Sequence, residues 1–314
     1  MIRYAIKRLL LFVPMLLGVV FIVFAICDLT PGDPARLILG ERATEAQLAI
    51  LRADLGLERP LPLRYAAYVG GLLHGDWGTS YRTGTPVIGD ILRKFPNTLI
   101  LALLGVFFSS LIGISVGVFS AVRQGTRADT AATVTALFFS SIPSFWLGMM
   151  LILVFALWLG LLPSNGAASW RHFILPAAAL TFPASAGLLR LTRSMMLETI
   201  RQDYIRTAYA KGLGDRPVIL IHALKNALIP VITSMGLHLG YLLGGAVITE
   251  SVFAIPGLGT HIINAIRMKD TPVVLASTVF LSIFFSLIML AVDIVAAMLD
   301  PRLRVRYFNR RGRR

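Results

Sequence analysis

Cysteine is almost absent from this 314-residue chain: Cys27 stands alone, so no intrachain disulfide can brace the fold and oxidation state says nothing of compartment. The five histidines, His74, His172, His222, His238 and His261, are scattered without i, i+4 pairing or nearby cysteines, which removes the ligand spacing a metal site needs. No G-x-x-x-x-G-K-[ST] occurs, and the glycine clusters at 212–214 and 244–245 lack the following Lys and Ser or Thr that cradle nucleotide phosphates. The chain is therefore not expected to hydrolyse ATP. Ser, His and Asp appear in no strand-turn-helix context, and no carboxylate pair falls in one polar stretch, so an intramembrane enzyme has little to rest on. No cofactor is called for.

Charge is scarce as well. At 15% charged and 56% hydrophobic residues, with a mean hydropathy of +0.75, the chain is too apolar for an ordinary soluble domain and belongs in a bilayer. The charge present is lopsided, 30 Lys and Arg against 16 Asp and Glu. A nucleic-acid reader would carry such a surplus on a soluble module, whereas here the basic residues lie between apolar runs, so membrane lipid and not nucleic acid is the expected partner.

Six apolar runs are present, at about 9–29, 98–122, 133–162, 173–191, 227–249 and 273–299. The first follows Arg3, Lys7 and Arg8 in the manner of a signal peptide. Its ~20 residues are nonetheless enough to span ~30 Å of hydrocarbon, and no small-residue cleavage site follows, so a retained helix is expected. The expected fold is an all-α membrane protein of six transmembrane helices, with both termini on one side. Nineteen of the 30 Lys and Arg lie on the face that holds the termini, residues 123–127, the 190–225 stretch and the tail. Eight of the others sit in residues 30–97 beside seven acids. The positive-inside rule then makes both termini and the loop near 196–225 cytoplasmic.

Residues 30–97 are patterned. Thr44 and Gln47 are spaced for a capping box before Leu48, Leu51 and Leu55; Tyr65, Tyr68, Val69, Leu72 and Leu73 form a second periodic set, and Val87, Ile88, Ile91, Leu92 and Phe95 a third. Three short helices making a small extracytoplasmic cap between helices 1 and 2 are expected, the alternative being a loop packed down on the bilayer. The resulting division is an N-terminal span (1–29), the cap (30–97), a core transmembrane domain (98–302) holding the loop 196–225, and a basic tail (303–314).

Small residues recur every fourth position in span two (Gly105, Ser109, Gly113, Gly117) and span five (Gly236, Gly240, Gly244), the spacing that lets helix backbones approach in lipid. These faces pack either within the chain or, for span five, against a partner subunit. Pro143, Pro176 and Pro183 are each expected to kink or break spans three and four. Asp293 and Asp300 lie seven apart near one end of span six, where they serve either as a functional acid or as ion-pair partners of Arg302 or Arg304.

The stretch 196–233 is the polar exception among these spans. Leu197, Ile200, Tyr204 and Ala208 recur at helical spacing, Gly212 and Gly214 end that helix, and Asp215 with Pro217 is suited to start another. Helix, turn, helix outside the bilayer is expected. This stretch resembles the cytoplasmic "EAA" loop of ABC-importer permeases, in the B-subunit variant of dipeptide, oligopeptide and nickel systems. Aligning Gly212 on the motif's glycine puts Arg206, Thr207 and Ala208 at Glu-Ala-Ala, and Leu224 and Lys225 at Leu-Pro. The phrases A-x-A-K-G-L at 208–213 and H-A-L-K-N-A-L-I-P at 222–230 fit the peptide subgroup better than the general motif. L-T-P-G-D-P (29–34), L-G-L-E-R-P-L (55–61), G-D-W-G-T-S (75–80), E-S-V-F-A-I-P-G-L-G (250–259) and D-P-R (300–302) resemble the same group, so the likeness runs from residue 1 to 302.

The resemblance implies a multi-pass subunit of the bacterial inner membrane. Its implied partners are a second homologous permease, two cytoplasmic ATP-binding subunits and an extracytoplasmic solute-binding protein that delivers dipeptides or oligopeptides. It also implies that Arg206, Thr207, Ala208, Lys211, Gly212, Gly214, His222, Lys225 and Asn226 form the ATPase-coupling loop. The alternative, a secondary transporter driven by an ion gradient, needs an internal repeat and midplane ion ligands that are not evident in the sequence.

Overall fold

A computed structural model describes residues 2–30 and 32–299. The expected pairing of Asp300 with Arg302 or Arg304, and the basic tail, lie outside these residues. The described chain is helical with no strand. Its helices are α1 (Ile2–Leu29), α2 (Pro34–Leu39), α3 (Glu45–Asp54), α4 (Leu61–Leu73), α5 (Val87–Val122), α6 (Arg127–Ser141), α7 (Ser144–Leu151), α8 (Ile174–Ile200), α9 (Asp203–Ala210), α10 (Asp215–Pro217), α11 (Leu224–Gly245), α12 (Val247–Val252), α13 (Leu258–Arg267) and α14 (Thr271–Leu299). Among the described residues, five segments are long and apolar enough to cross a membrane, and a sixth arises if the bent pair Arg127–Ser141 and Ser144–Trp158 counts as one span.

That pair is bent by 96°. The cause is local: Ile142 precedes Pro143, and a residue before proline is pushed out of the helical region, here to φ −86°, ψ 125°. Pro143 therefore breaks span three as expected. Pro176 does not kink span four, because it sits in the first turn of α8, where its missing N–H has no helical partner to lose. Pro183 lies inside α8, which runs on unbroken to Ile200. The third periodic set of the expected cap, Val87 to Phe95, proves to be the first turns of α5, continuous through Pro96 with span two. Span five likewise starts early, in one apolar stretch from Asp215 to Gly244 that passes through a π-helical turn at Val218–Ala223.

The chain divides into two compact units, one of residues 97–255 with the helix from 287, the other of residues 2–96 and 256–286. In the first, α8 is the hub, packing against α6, α7 and α11. Close packing is set by glycine: a Cβ at Gly113 would stand 2.6 Å from Leu188 Cβ, and one at Gly117 2.8 Å from the Leu189 carbonyl oxygen. Backbones of α5 and α8 touch there because no side chain intervenes.

In the second unit, Thr44 and Gln47 form the expected capping box on α3. Asp33 caps α2 and accepts from Arg52 of α3, whose guanidinium holds its carboxyl below the usual range. Phe95 stacks edge-on against Phe280 and Phe284, and the buried Asp270 accepts from the Ser80 hydroxyl and the Tyr81 amide.

Candidate functional site

α9 is short and strongly two-faced. Ile205 and Ala208 are buried, while Tyr204, Arg206, Thr207, Tyr209 and Lys211 are exposed. The inner pair docks into a cluster with Ala121 at the end of α5, Met196 of α8, Val218 and Ala223 of the π turn, and Ala227 of α11. An apolar floor built from the ends of three long helices thus holds one face of α9 and leaves the other to solvent.

Helix ends fix this knob. α8 stops at Ile200, and α9 starts afresh at Asp203 after the break at Arg201 and Gln202. Met196 to Ile200 therefore belong to the spanning helix, a correction to the single amphipathic helix expected across 197–208. At the far end the Gly212 amide donates to the Tyr209 carbonyl (2.9 Å) and the Leu213 amide to the Ala208 carbonyl (3.4 Å), with Gly212 at φ +82°. This is a Schellman ending, in which glycine takes the left-handed position at no steric cost. Asp215 does not cap the next helix; Gly214 occupies the cap position and Asp215 is the first helical residue. Asp215 instead hydrogen-bonds Tyr209, and burial together with that bond raises the Tyr209 phenol above its ordinary range.

The remaining expected loop residues spread around this frame. Asn226 donates to the Tyr204 hydroxyl (2.9 Å) and to the His222 carbonyl (3.1 Å), tying one flank of α9 to the start of α11. Thr207 bonds back to the Asp203 carbonyl, His222 is half-buried in the π turn, and Lys225 is exposed. Ala208, expected in the ATPase-coupling loop, turns its side chain into the chain's own core.

The glycine rows separate in the same way. A Cβ at Gly236 would meet Val292 of α14 at 2.2 Å, and one at Gly105 would meet Leu242 at 3.1 Å, so these residues, like Gly113 and Gly117, pack within the chain. Gly240 is buried, whereas Gly244 is exposed with nothing within 4 Å of an added Cβ.

Two buried acids besides Asp270 were, like it, not singled out from the sequence. Asp129 of α6, with a side chain 7% exposed, accepts both arms of the Arg193 guanidinium from α8 (2.7 and 2.8 Å), the Gly125 amide (2.9 Å) and the Ser120 hydroxyl. The signal available was an acid and a base inside apolar helices, where charges are costly unless paired. Glu250 of α12 is fully buried and accepts from the Thr98 hydroxyl.

Comparison with known proteins gives this arrangement its class. Residues 113–305 match the family described as binding-protein-dependent transport system inner membrane component, and residues 1–102 match the N-terminal model of the same systems. The chain belongs to that family: it is an inner-membrane permease subunit of a binding-protein-dependent ABC importer, which displaces the ion-gradient alternative. It is 41% identical over 304 residues to the glutathione transport system permease protein GsiC of Salmonella typhimurium, covering 97% of this chain and 99% of that one. The protein of the same description from Pectobacterium atrosepticum is likewise 41% identical, and that from Escherichia coli K12 is 40% identical, with the same coverage. Among solved structures, an inward-facing MetNI methionine ABC transporter shares the fold at a TM-score of 0.55 and 23% identity, over 68% of this chain and 98% of that one.

Proposed function

We propose that this chain is one of two related permease subunits that together pass small peptides across the membrane, and that the α9 knob is where a cytoplasmic ATPase delivers its stroke. One observation carries the reading: α9 is rooted by Ile205 and Ala208 in the ends of the spanning helices, while its opposite face, with Asp203, Arg206, Thr207 and Ala210, is open and Tyr204 and Tyr209 flank it. A helix held on one side and free on the other transmits force from a partner that grips the free side. The partners are two cytoplasmic ATP-binding subunits, a second homologous permease and an extracytoplasmic solute-binding protein. The chain itself is non-catalytic, having no phosphate-binding loop. ATP acts by favouring the outward-open arrangement over the other, since a ligand shifts an equilibrium only by its differential affinity. Peptide cargo is supported by the glutathione permeases among its relatives, glutathione being a small peptide.

The test is ATP hydrolysis by the reconstituted complex with and without loaded binding protein. Gly212→Val places a β-branched side chain at φ +82°, where left-handed backbone costs ~1–2 kcal/mol even without a clash, and none of its neighbours lies within 4 Å to clash. Expression and insertion should stay near normal, and stimulation by loaded binding protein and uptake should be lost. Lys225→Ala, at an exposed position, should be tolerated. Full stimulation in Gly212→Val would show that force enters elsewhere.

A further inference from the structure

α4 does not have the composition of a water-exposed helix. Arg64 is its only charge, and none of its 13 residues is fully buried within the chain. Pro62, Leu63, Ala66, Ala67 and Leu73 are exposed, Leu63 at 61% and Leu73 at 82%, and a Cβ at Gly70 would meet nothing within 4 Å. From Leu63 on, these residues recur three or four apart and share one face. A solvated helix turns its polar residues outward; α4 turns them inward. Arg64 pairs with Asp28 of α1 and lies over the Phe24 ring, and the Tyr65 hydroxyl donates to the Leu17 carbonyl at 2.8 Å.

These inward contacts fix how deep α4 lies. The apolar span of α1 is Leu10–Leu29, whose 20 residues rise about 30 Å, the thickness of the hydrocarbon layer. Tyr65 packs edge-on against Phe21 (5.3 Å) and Phe24 (6.0 Å), and the Tyr68 ring lies tilted against Phe24 (6.1 Å). At 1.5 Å per residue, Phe24 and Phe21 stand about 7 and 12 Å below the Leu29 end of that span. α4 therefore crosses α1 at the depth of acyl chains. The Tyr65 bond fits this setting, since a hydroxyl below the headgroups has no water and must find a carbonyl. Arg64 reaches back toward Asp28, at the rim, as a long cationic side chain does from an apolar site. On the side turned away from α4, α1 is itself bare and apolar, with Ile22 and Ile26 each 58% exposed, as a lipid-facing span is.

We propose that α4 is embedded in one leaflet, with lipid acyl chains covering its face of Leu63, Ala66, Ala67, Gly70 and Leu73. The segment between α1 and α5 is then not a cap standing free in water. Only α2, α3 and the neighbouring turns, with the charges of Asp33, Arg36, Glu45 and Arg52, meet the aqueous phase, and α4 widens the membrane-buried footing of α1.

The experiment uses the assembled importer in lipid nanodiscs, with single cysteines at Leu63→Cys, Ala67→Cys and Leu73→Cys in a Cys27→Ser background, each carrying a nitroxide, and Glu58→Cys as a water-exposed reference. Uptake by each variant certifies intact assembly. The three α4 positions should show collisional broadening by oxygen and loss of broadening by a water-soluble nickel chelate, with the reverse at Glu58→Cys. Chelate broadening on α4 equal to that at Glu58→Cys would place the face in water and overturn the proposal. Protection from both reagents would place another protein there and would overturn it equally.

Discussion

Arg193→Met is the sharpest probe of the buried fork. The substitution keeps the apolar length of the side chain but leaves the Asp129 carboxylate, 7% exposed, facing the empty place of a guanidinium that had donated twice. Breaking one half of a buried pair costs about 3–5 kcal/mol, because the remaining charge is neither solvated nor matched. The Gly125 amide is a built-in reporter, since it donates to Asp129 Oδ2 in the turn between α5 and α6. With every 1.4 kcal/mol worth tenfold, its hydrogen exchange should accelerate by about two to three and a half orders of magnitude. Adding Asp129→Asn to Arg193→Met should recover most of the loss. The amide oxygen can still accept from one donor, and the Ser120 hydroxyl can reverse its role and accept from the new NH2. Acceleration of less than tenfold in Arg193→Met, or a double variant no slower than the single, would refute the claim that the pair holds this turn.

Three further outcomes are expected. Gly117→Ala should lower the thermal stability of the solubilised protein by about 1–3 kcal/mol through overpacking against the Leu189 carbonyl, while Gly244→Ala, with open space around it, should leave it unchanged; equal effects would contradict the packing described. Cysteines at Gly75 and Gly214 in a Cys27→Ser background should be labelled by an impermeant reagent from opposite sides of the membrane, and labelling of both from one side would rule out the topology. Because Arg52 depresses the Asp33 carboxyl, the brace between α2 and α3 is complete above the ordinary Asp range near ~4 and is lost only as pH falls through the lower folded value. Protection of the Ala35 amide, which donates to Asp33, should therefore persist below pH ~4, and its loss already near pH ~5 would break that reasoning.

The α9 knob was legible because Gly212 and the apolar spacing are local signals, and its Schellman ending needs only the residues beside it. The break before it was not. Leu197, Ile200, Tyr204 and Ala208 keep one helical period straight across Arg201 and Gln202, with no proline or glycine to mark the change. The division between a cap set ending at Phe95 and a span starting at 98 also failed, because long apolar helices such as α5 accommodate a proline, here Pro96, that a short soluble one would not. Asp129 and Arg193 stand 64 residues apart, so no local pattern joins them. The orientation of Ala208 was also out of reach: a helical period shows that a residue shares a face with Tyr204, but not which of the chain's own helices lies beneath it.

The same contacts say where a push on α9 must go. Ile205 and Ala208 rest on Ala121 and Met196, so α9 bears on α5 and α8 together. Those two helices cannot slide freely, because at Gly113 and Gly117 their backbones are in contact and any shift along the axis drives Leu188 or Thr192 into the facing chain. The Asp129 fork binds α6 to α8 in turn, and the Gly125 bond fixes the turn that joins α6 to α5. α5, α6 and α8 therefore answer as one block. Compliance is left to places where regular hydrogen bonding is already broken, among them the bend at Ile142 and Pro143, which separates α6 from α7, and the π turn Val218–Ala223, where wider helical winding leads from the knob into α11. A stroke delivered to α9 should turn the block as a unit and flex the chain at those two joints, so hydrogen exchange during ATP turnover should change at 142–143 and 218–223 and stay constant along α5 and α8.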